Sequence, residues 1–264
     1  MPHQYIKVEV SDFVATVVMD RPPVNAQNSQ FRLEMMEVFD AFNDRDDVRV
    51  AILTGAGKVF SAGADIKERI GLVKEPGDYW RHNRAAREYT NCIRECAKPV
   101  IAAVNGAALG AGFGLMAACD IMMASDNAVF GMPEIDVGLA GGTAMLSNLV
   151  GKSRGRRIVF TGDRIPAQEM YRLGVIECCV AREALMEEAL KMARNIASKS
   201  PLAMRLCEDF DRRIHRLLHS AAGKGGKPCG WNAFCAVQGS SSGNGRFPST
   251  SGTPGSKQRR HRAS

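Results

Sequence analysis

The chain has 264 residues, of which 45% are hydrophobic and 24% charged, enough for one sizeable α/β domain with a buried core. Its eight cysteines form no CxxC pair, and no apolar run reaches the roughly 18 residues of a membrane-spanning helix. These features exclude a disulfide-stapled secreted fold and an integral membrane protein. They predict a soluble protein of the reducing cytoplasm, made without a signal peptide.

The net charge of +7 is unevenly distributed along the chain. The last acidic residue is Asp211, and residues 212–264 carry ten Lys or Arg, whereas residues 1–211 contain 25 basic and 28 acidic groups. The basic character therefore belongs to the C-terminal segment. This segment is rich in Gly and Ser and lacks sustained hydrophobic periodicity, so we expect a folded core over 1–210 and a basic, largely disordered tail over 211–264.

Hydrophobic periodicity predicts alternating strands and helices. Apolar residues alternate over 6–10 and 13–19, which predicts an N-terminal hairpin, and Asn28 and Ser29 can cap a helix that extends to Phe42. Strands are further predicted over 48–53, 100–104 and 121–124, and helices over 78–96, 113–118, 143–150, 167–173 and 183–199. This alternation favours right-handed βαβ units, and hence an open, largely parallel sheet covered by helices.

Two loops rich in small residues each connect a predicted strand to a helix, where open α/β sheets bind ligands. The first loop covers residues 61–65 and the second loop covers residues 106–114. Small residues let a ligand approach the backbone, and the first N–H groups of a helix are unpaired, so one donor from each loop can form an oxyanion hole. Either loop alone is weak evidence of a site. The glycine spacing does not fit the dinucleotide-binding fingerprint.

Six motifs over residues 5–210 together resemble the crotonase superfamily, the enoyl-CoA hydratase/isomerase family. They are Arg21-Pro-Pro-Val-Asn-Ala26, Phe60-Ser-Ala-Gly-Ala-Asp-Ile-Lys67, Lys98 to Gly112, Ala118-Cys-Asp-Ile121, Phe130-Gly-Met-Pro-Glu134 and Leu173-Gly-Val175. The resemblance implies a spiral of ββα units with a helical C-terminal region, assembled as homotrimers or hexamers. It also implies that an acyl-CoA thioester lies between the two loops, with coenzyme A as part of the substrate and no further cofactor.

The resemblance further implies functions for individual residues. The oxyanion donors would be the backbone N–H groups of Ala64 and Ala111. Glu134 would be the carboxylate that transfers protons beside the thioester. The other substrate-binding positions would be Ser61, Ala62, Gly63, Asp65, Ile66, Gly110, Gly114 and Asp136.

The sequence departs from the family at Gly114, where family hydratases carry a second glutamate. Hydration needs a water activated at the β carbon and a proton delivered to the α carbon, whereas one carboxylate can shuttle a proton to move a double bond. Gly114 therefore favours isomerase, lyase or special-substrate hydratase chemistry, in an enlarged pocket. Asp136 would supply the missing acid if residues 134–136 are extended, because alternate residues then share a face; otherwise it is a solvated loop residue.

The tail is a second departure, because family members usually continue as an amphipathic helix that completes the active-site roof and the trimer contacts. A reading-frame change near 208–215 would explain it, and so would a genuine basic arm. Two alternative functions stay open. One is a CoA-thioester lyase for an aromatic or branched acyl group. The other is a non-catalytic relative that binds nucleic acid through its tail, which is disfavoured because no aromatic platform accompanies the charges.

The sequence contains no motif typical of a metal site or of a serine nucleophile. Cys92 and Cys96 are spaced by one helical turn, but no histidine or further cysteine accompanies them, so they are interpreted as core residues. The Gly-x-Ser-x-Gly signature is missing. No metal is therefore expected.

Overall fold

The computed structural model describes residues 3–68, 75, 77–139 and 141–207. Its strands are β1 (Ile6–Ser11), β2 (Val14–Met19), β3 (Val50–Gly55), β4 (Val59–Ser61), β5 (Val100–Val104), β6 (Ala107–Leu109), β7 (Ile121–Ser125), β8 (Val129–Gly131), β9 (Ile165–Pro166) and β10 (Cys178–Val180). Its α-helices are α1 (Ser29–Phe42), α2 (Asp78–Arg94), α3 (Ala111–Met116), α4 (Thr143–Val150), α5 (Lys152–Thr161), α6 (Ala167–Arg172) and α7 (Leu185–Ala197). The tail predicted over 211–264 lies outside the described residues, and its disorder stays a prediction.

The larger sheet has the strand order β1-β2-β3-β5-β7-β10. The N-terminal hairpin β1–β2 is antiparallel, as predicted, and the other neighbours pair in parallel. Strand β3 is buried on both faces, since Ile52 packs toward α7 and Leu53 toward the cluster that contains Phe31 and Phe39 of α1. Helices therefore cover both faces of this sheet, and its core provides the main hydrophobic stabilisation.

Helix α1 forms where the sequence predicts it. The side chain of Asn28 accepts a hydrogen bond from the N–H of Phe31 (2.9 Å), which satisfies one of the donors left unpaired at a helix start. Phe31, Met35 and Phe39 are fully buried along one stripe of the helix. Capping and amphipathicity together fix this helix against the larger sheet.

A second, smaller sheet has the order β4-β6-β8-β9, with β4, β6 and β8 parallel and β9 antiparallel to β8. Periodicity alone predicted a single sheet, and that prediction is wrong, because three-residue strands are too short to express an alternating pattern. Successive strands β3–β4, β5–β6 and β7–β8 each contribute one strand to each sheet. This arrangement confirms the spiral of ββα units that the family resemblance implied.

Other differences from the sequence prediction concern short elements. The second loop, predicted over 106–114, contains β6, the helix predicted over 113–118 begins at Ala111, and α5 was not predicted. Within the described part of the chain, no helix is both long and apolar enough to cross a bilayer.

Candidate active site

The parallel strands β4, β6 and β8 bring three functional segments to one edge of the smaller sheet. Their carboxyl ends lead into the first loop, into Gly110 and Ala111, and into the segment that carries Glu134. Neighbouring strands lie about 4.8 Å apart, so the segments that leave their carboxyl ends emerge side by side. A hydrogen bond from the N–H of Gly110 to the carbonyl of Gly131 (2.9 Å) extends this pairing to the strand ends.

The two loops are in direct contact because glycines line both of them. Gly63 has a φ of +97°, and a Cβ there would lie 2.7 Å from the carbonyl oxygen of Leu109 and 3.1 Å from the amide nitrogen of Ala111. A Cβ on Gly112 would overlap the carbonyl of Ser61. Any larger side chain at these positions would push the loops apart.

Among the described residues, the amide of Ala64 takes no part in the hydrogen bonds that hold its loop. Gln27 and Ala64 form a parallel bridge in which the N–H of Gln27 donates to Gly63 (2.9 Å) and the N–H of Asp65 donates to Gln27 (3.1 Å). Because a trans peptide is planar, the Ala64 N–H points opposite to the Gly63 carbonyl that Gln27 holds. It therefore points away from Gln27.

The direction of the Ala111 N–H is fixed by the same argument, from the hydrogen-bonded carbonyl of its own peptide unit. Ala111 is the first residue of α3, so its N–H has no acceptor within the helix. The carbonyl of Gly110, in the same peptide unit, accepts from the N–H of Gly114 (3.0 Å), which fixes the opposite direction of the Ala111 N–H. The contact between Gly63 and Ala111 brings the two predicted oxyanion donors into neighbouring positions.

The carboxylate of Glu134 lies against the start of α3. Glu134 is in a 3₁₀ helix, Pro133–Val137, and a Cβ on Gly110 would stand 2.6 Å from its Oε1. Its Oε2 is shielded from solvent. The structure thus brings Glu134, Gly110 and the Ala111 amide together.

Asp136 does not share the face of Glu134. The sequence predicted a shared face only if residues 134–136 were extended, and this condition is not met, because a 3₁₀ helix has three residues per turn and sends residues i and i+2 to different faces. Its Oδ1 lies 2.7 Å from the Cβ position of Gly162, after α5. Asp136 is exposed and does not replace a second acid beside Glu134.

Gly114 faces open space. It lies one helical turn after Gly110, and a Cβ built on it meets no atom within 4 Å among the described residues. Because residue 114 has no side chain, it leaves additional space beside the start of α3.

The remaining predicted binding positions in and next to the first loop include both buried and exposed residues. Ser61 is completely buried, and its hydroxyl donates to the carbonyl of Asn25 (2.7 Å) while accepting from Gln27 Nε2 (2.9 Å) and the Gly63 N–H (3.2 Å). A hydroxyl has one donor and two acceptor positions, so this side chain holds the loop and has no capacity left for a ligand. Ala62 and Ile66 are exposed and accessible to one.

Sequence reasoning missed the polar residues that support this loop. Asn25 is 2% exposed, and its Nδ2 lies within hydrogen-bond distance of the carbonyls of Ala56, Val59 and Phe60. Gln27 is 1% exposed. Both come within a few residues of the Pro22-Pro23 turn, and the available signal was two amide side chains in the short segment between strand β2 and helix α1.

Asp65 is engaged at both carboxylate oxygens. Oδ1 accepts from the N–H groups of Lys67 and Glu68, and Oδ2 accepts from the guanidinium of Arg21 at 2.8 Å. Burial acts to raise the pKa of Asp65, but the Arg21 hydrogen bond and the two backbone N–H groups outweigh it, and the pKa is lowered. Asp65 therefore anchors the end of the first loop as a carboxylate.

No group of three or more metal-ligating side chains occurs among the described residues. The thiol of Cys92 is buried, and burial together with the nearby Asp40 raises its pKa to about 12. A thiol with this pKa stays protonated near neutral pH and is a poor nucleophile. Cys92 is thus a core residue.

Comparison with known proteins identifies the family. The family model for enoyl-CoA hydratase/isomerase matches residues 9–222. The chain belongs to the enoyl-CoA hydratase/isomerase family. It is therefore an enzyme of the crotonase type, a family that acts on acyl-CoA.

Individual relatives are similar over most of their length. A crotonyl-CoA hydratase of Syntrophomonas wolfei is 38% identical over 212 residues, which are 78% of this chain and 80% of the relative. A (7aS)-7a-methyl-1,5-dioxo-2,3,5,6,7,7a-hexahydro-1H-indene-carboxyl-CoA hydrolase of Mycobacterium tuberculosis is 36% identical over 74% of this chain and 79% of its own. The crystal structure of an enoyl-CoA hydratase from Bacillus anthracis has a TM-score of 0.77 and 32% identity, covering 89% and 90% of the two chains.

The contact between Gly110 and Glu134 leads to a first prediction. We expect Gly110→Ala to lower turnover of an enoyl-CoA by about 100-fold, since a Cβ 2.6 Å from Oε1 displaces the carboxylate by a substantial fraction of an ångström. Steady-state kinetics would measure this loss. Gly57→Ala is the matched control, because Gly57 also has a positive φ (+71°) but open space around it. Equal losses in both variants would contradict the steric explanation.

The Asp65–Arg21 pair leads to a pH prediction. A carboxylate whose pKa is lower in the folded state stabilises the fold above its unfolded pKa of about 3.9, and this stability is lost as the pH falls through the folded value. We expect Asp65→Asn to reduce the free energy of unfolding by about 1 kcal/mol at pH 7. Denaturant unfolding measured from pH 7 to pH 3 should show that the difference in unfolding free energy between the parent and Asp65→Asn becomes smaller as the pH falls. A difference that becomes larger toward pH 3 would contradict the role of the Asp65 carboxylate.

Proposed function

We propose that the protein binds an acyl-CoA thioester between its two loops and stabilises the thioester enolate with the N–H groups of Ala64 and Ala111, while Glu134 alone transfers protons. The observation that carries this proposal is the contact of the Glu134 carboxylate with Gly110, next to the point where the two loops meet. Two amides and one carboxylate therefore border the same space.

The proposed chemistry depends on that arrangement. Two N–H donors aimed at the thioester oxygen stabilise the negative charge that develops there when a proton leaves the α carbon. Both amides belong to peptide units whose carbonyls are already hydrogen-bonded, so they need little reorganisation as charge develops. The distance of 2.6 Å between Glu134 Oε1 and the Cβ position of Gly110 supports a role for this carboxylate as the group that takes up the proton.

The single carboxylate best supports a double-bond shift. A 3-enoyl-CoA can lose an α proton to Glu134 and regain it at the γ carbon, which forms the conjugated 2-enoyl-CoA without any added water. Hydration is favoured by a second carboxylate, so that one can activate the water while the other delivers the proton. Gly114 offers no side chain for it, and the carboxylate of Asp136 is directed to Gly162 instead.

The third prediction tests this reaction. We expect the protein to convert a 3-enoyl-CoA into the 2-enoyl-CoA, seen as a gain of conjugated-thioester absorbance, and to hydrate crotonyl-CoA at least about 100-fold more slowly. Glu134→Gln should lower the isomerisation rate about 1,000-fold without weakening CoA binding. Asp136→Asn is the matched carboxylate control and should retain activity. Fast crotonyl-CoA hydration that depends on Asp136 would contradict the single-acid proposal.

A second candidate function uses the space beside Gly114. The open volume at this glycine suits an acyl group that is bulkier than a straight short chain, and the Mycobacterium tuberculosis relative is named for a two-ring acyl-CoA substrate. A lyase or hydrolase acting on a ring-bearing or branched acyl-CoA would use the same enolate stabilisation.

The fourth prediction separates the two candidates. Gly114→Gln fills the open space, so it should lower kcat/KM for a cyclohexenoyl-CoA about tenfold or more while changing kcat/KM for a short-chain 3-enoyl-CoA by less than about threefold. Steady-state kinetics with both substrates measures the ratio, and the short chain is the internal control. Equal effects on both substrates would remove the argument for a bulky acyl group.

Assembly and location stay predictions. The family resemblance favours a homotrimer or hexamer, and the composition favours the cytoplasm. Nucleic-acid binding through residues 212–264 remains disfavoured. Deleting this segment separates the possibilities, since RNA affinity lost with acyl-CoA turnover intact would assign the tail to binding, whereas lost turnover would assign it to assembly.

A further inference from the structure

Gln27 holds the peptide groups on both sides of Ala64. Its N–H donates to the Gly63 carbonyl (2.9 Å), and its own carbonyl accepts from the Asp65 N–H (3.1 Å). The Gly63 carbonyl and the Ala64 N–H belong to one planar peptide unit. Any rotation of that unit changes the direction of the Ala64 N–H, so the backbone of Gln27 limits where this amide can point.

The side chain of Gln27 adds a second connection to the same loop. Its Nε2 donates to the Ser61 hydroxyl (2.9 Å), which leaves the hydroxyl proton for the Asn25 carbonyl (2.7 Å) and a lone pair for the Gly63 N–H (3.2 Å). The amide of Gln27 thereby sets the orientation of the hydroxyl that holds Gly63. Gln27 and Ser61 together hold three backbone groups of this segment, the N–H and carbonyl of Gly63 and the N–H of Asp65.

The burial of this side chain indicates that the network has a function beyond packing. Gln27 is 1% exposed and Ser61 is 0% exposed. A buried amide needs hydrogen-bond partners to offset its desolvation, and apolar side chains of similar volume fill such positions without that requirement. Hydrogen bonds are directional, whereas apolar contacts are not, so the network specifies an orientation that packing alone would leave loose.

We propose that Gln27 is a positioning residue that aims the Ala64 amide at the thioester oxygen, through the Ser61 hydroxyl and the Gly63–Ala64 peptide. This inference rests on the proposed function. Because Gln27 is 1% exposed, its role in this proposal is indirect, through the Ser61 hydroxyl and the loop backbone. Its loss therefore weakens the hydrogen bond to the thioester oxygen in the transition state while leaving CoA binding largely intact.

The test combines spectroscopy with kinetics on the full-length protein. Bound acetyl-CoA labelled with ¹³C at the thioester carbonyl reports oxyanion hydrogen bonding through its C=O stretching frequency, read by isotope-edited infrared difference spectra. In Gln27→Met we expect the frequency to return at least halfway to that of free acetyl-CoA. We also expect kcat for a 3-enoyl-CoA to fall about 10- to 100-fold, with KM within about threefold of the parent.

A double-mutant cycle checks that the side chain acts through Ser61. Ser61→Ala should reproduce the frequency shift and the kcat loss, and the double variant should lose little more than either single one, because both changes break the same connection. Gln168→Met is the control for the same chemical change, since the Gln168 amide donates to the backbone carbonyl of Asp126 (3.2 Å) at an exposed position outside the two loops. It should keep the parent frequency and rate.

The outcomes separate this inference from the proposed function. A parent protein that leaves the acetyl-CoA carbonyl at its free frequency contradicts the oxyanion site itself. A shifted parent with an unchanged Gln27→Met, or fully additive losses in the double variant, overturns the positioning role alone. Circular dichroism and thermal unfolding monitor folding, and Ser61→Ala provides the same readout if Gln27→Met does not fold.

Discussion

The parallel pairing of three very short strands, β4, β6 and β8, is the constraint on which the site depends. Each strand contributes only three residues to the smaller sheet, yet their common direction delivers two backbone loops and one carboxylate to the same edge. A strand reversed or shifted by one residue would send its attached loop elsewhere. Both sheets contribute buried residues to the hydrophobic core, and the smaller sheet also aligns the segments of the candidate site.

Contact between the loops depends on the absence of side chains. Gly63 and Gly112 let the two loops touch, and Gly110 lets the Glu134 carboxylate approach the start of α3. In the proposed function, backbone amides take the place of polar side chains in this close contact. The buried side-chain amides of Asn25 and Gln27 hold the first loop and the residues before it, through hydrogen bonds to the Ala56 carbonyl and the Ser61 hydroxyl.

Much of the fold, but only part of the candidate site, could be predicted from the sequence. The hairpin, α1, α2 and the long buried strands have enough residues to display a period of two or 3.6, and the structure has them within a few positions. Strands of three residues have no measurable period, so the smaller sheet could be expected only through the family resemblance. Glu134 and the glycines were named from motifs, whereas Gln27 has no motif, and its burial is a property of the folded chain. The direction of the Asp136 side chain could not be predicted, because a 3₁₀ turn cannot be distinguished from an extended segment in five residues.

The open space at Gly114 separates the stability of the backbone scaffold from the choice of reaction and acyl group, two properties that are often linked. In the proposed function the thioester is bound by main-chain atoms, and the backbone that supplies them is insensitive to what occupies residue 114, since a Cβ there contacts no described neighbour. The choice of reaction and of acyl group can therefore drift through this one position while the scaffold stays intact. An enzyme built this way can acquire a new substrate by exchanging one side chain, without first losing its ability to fold.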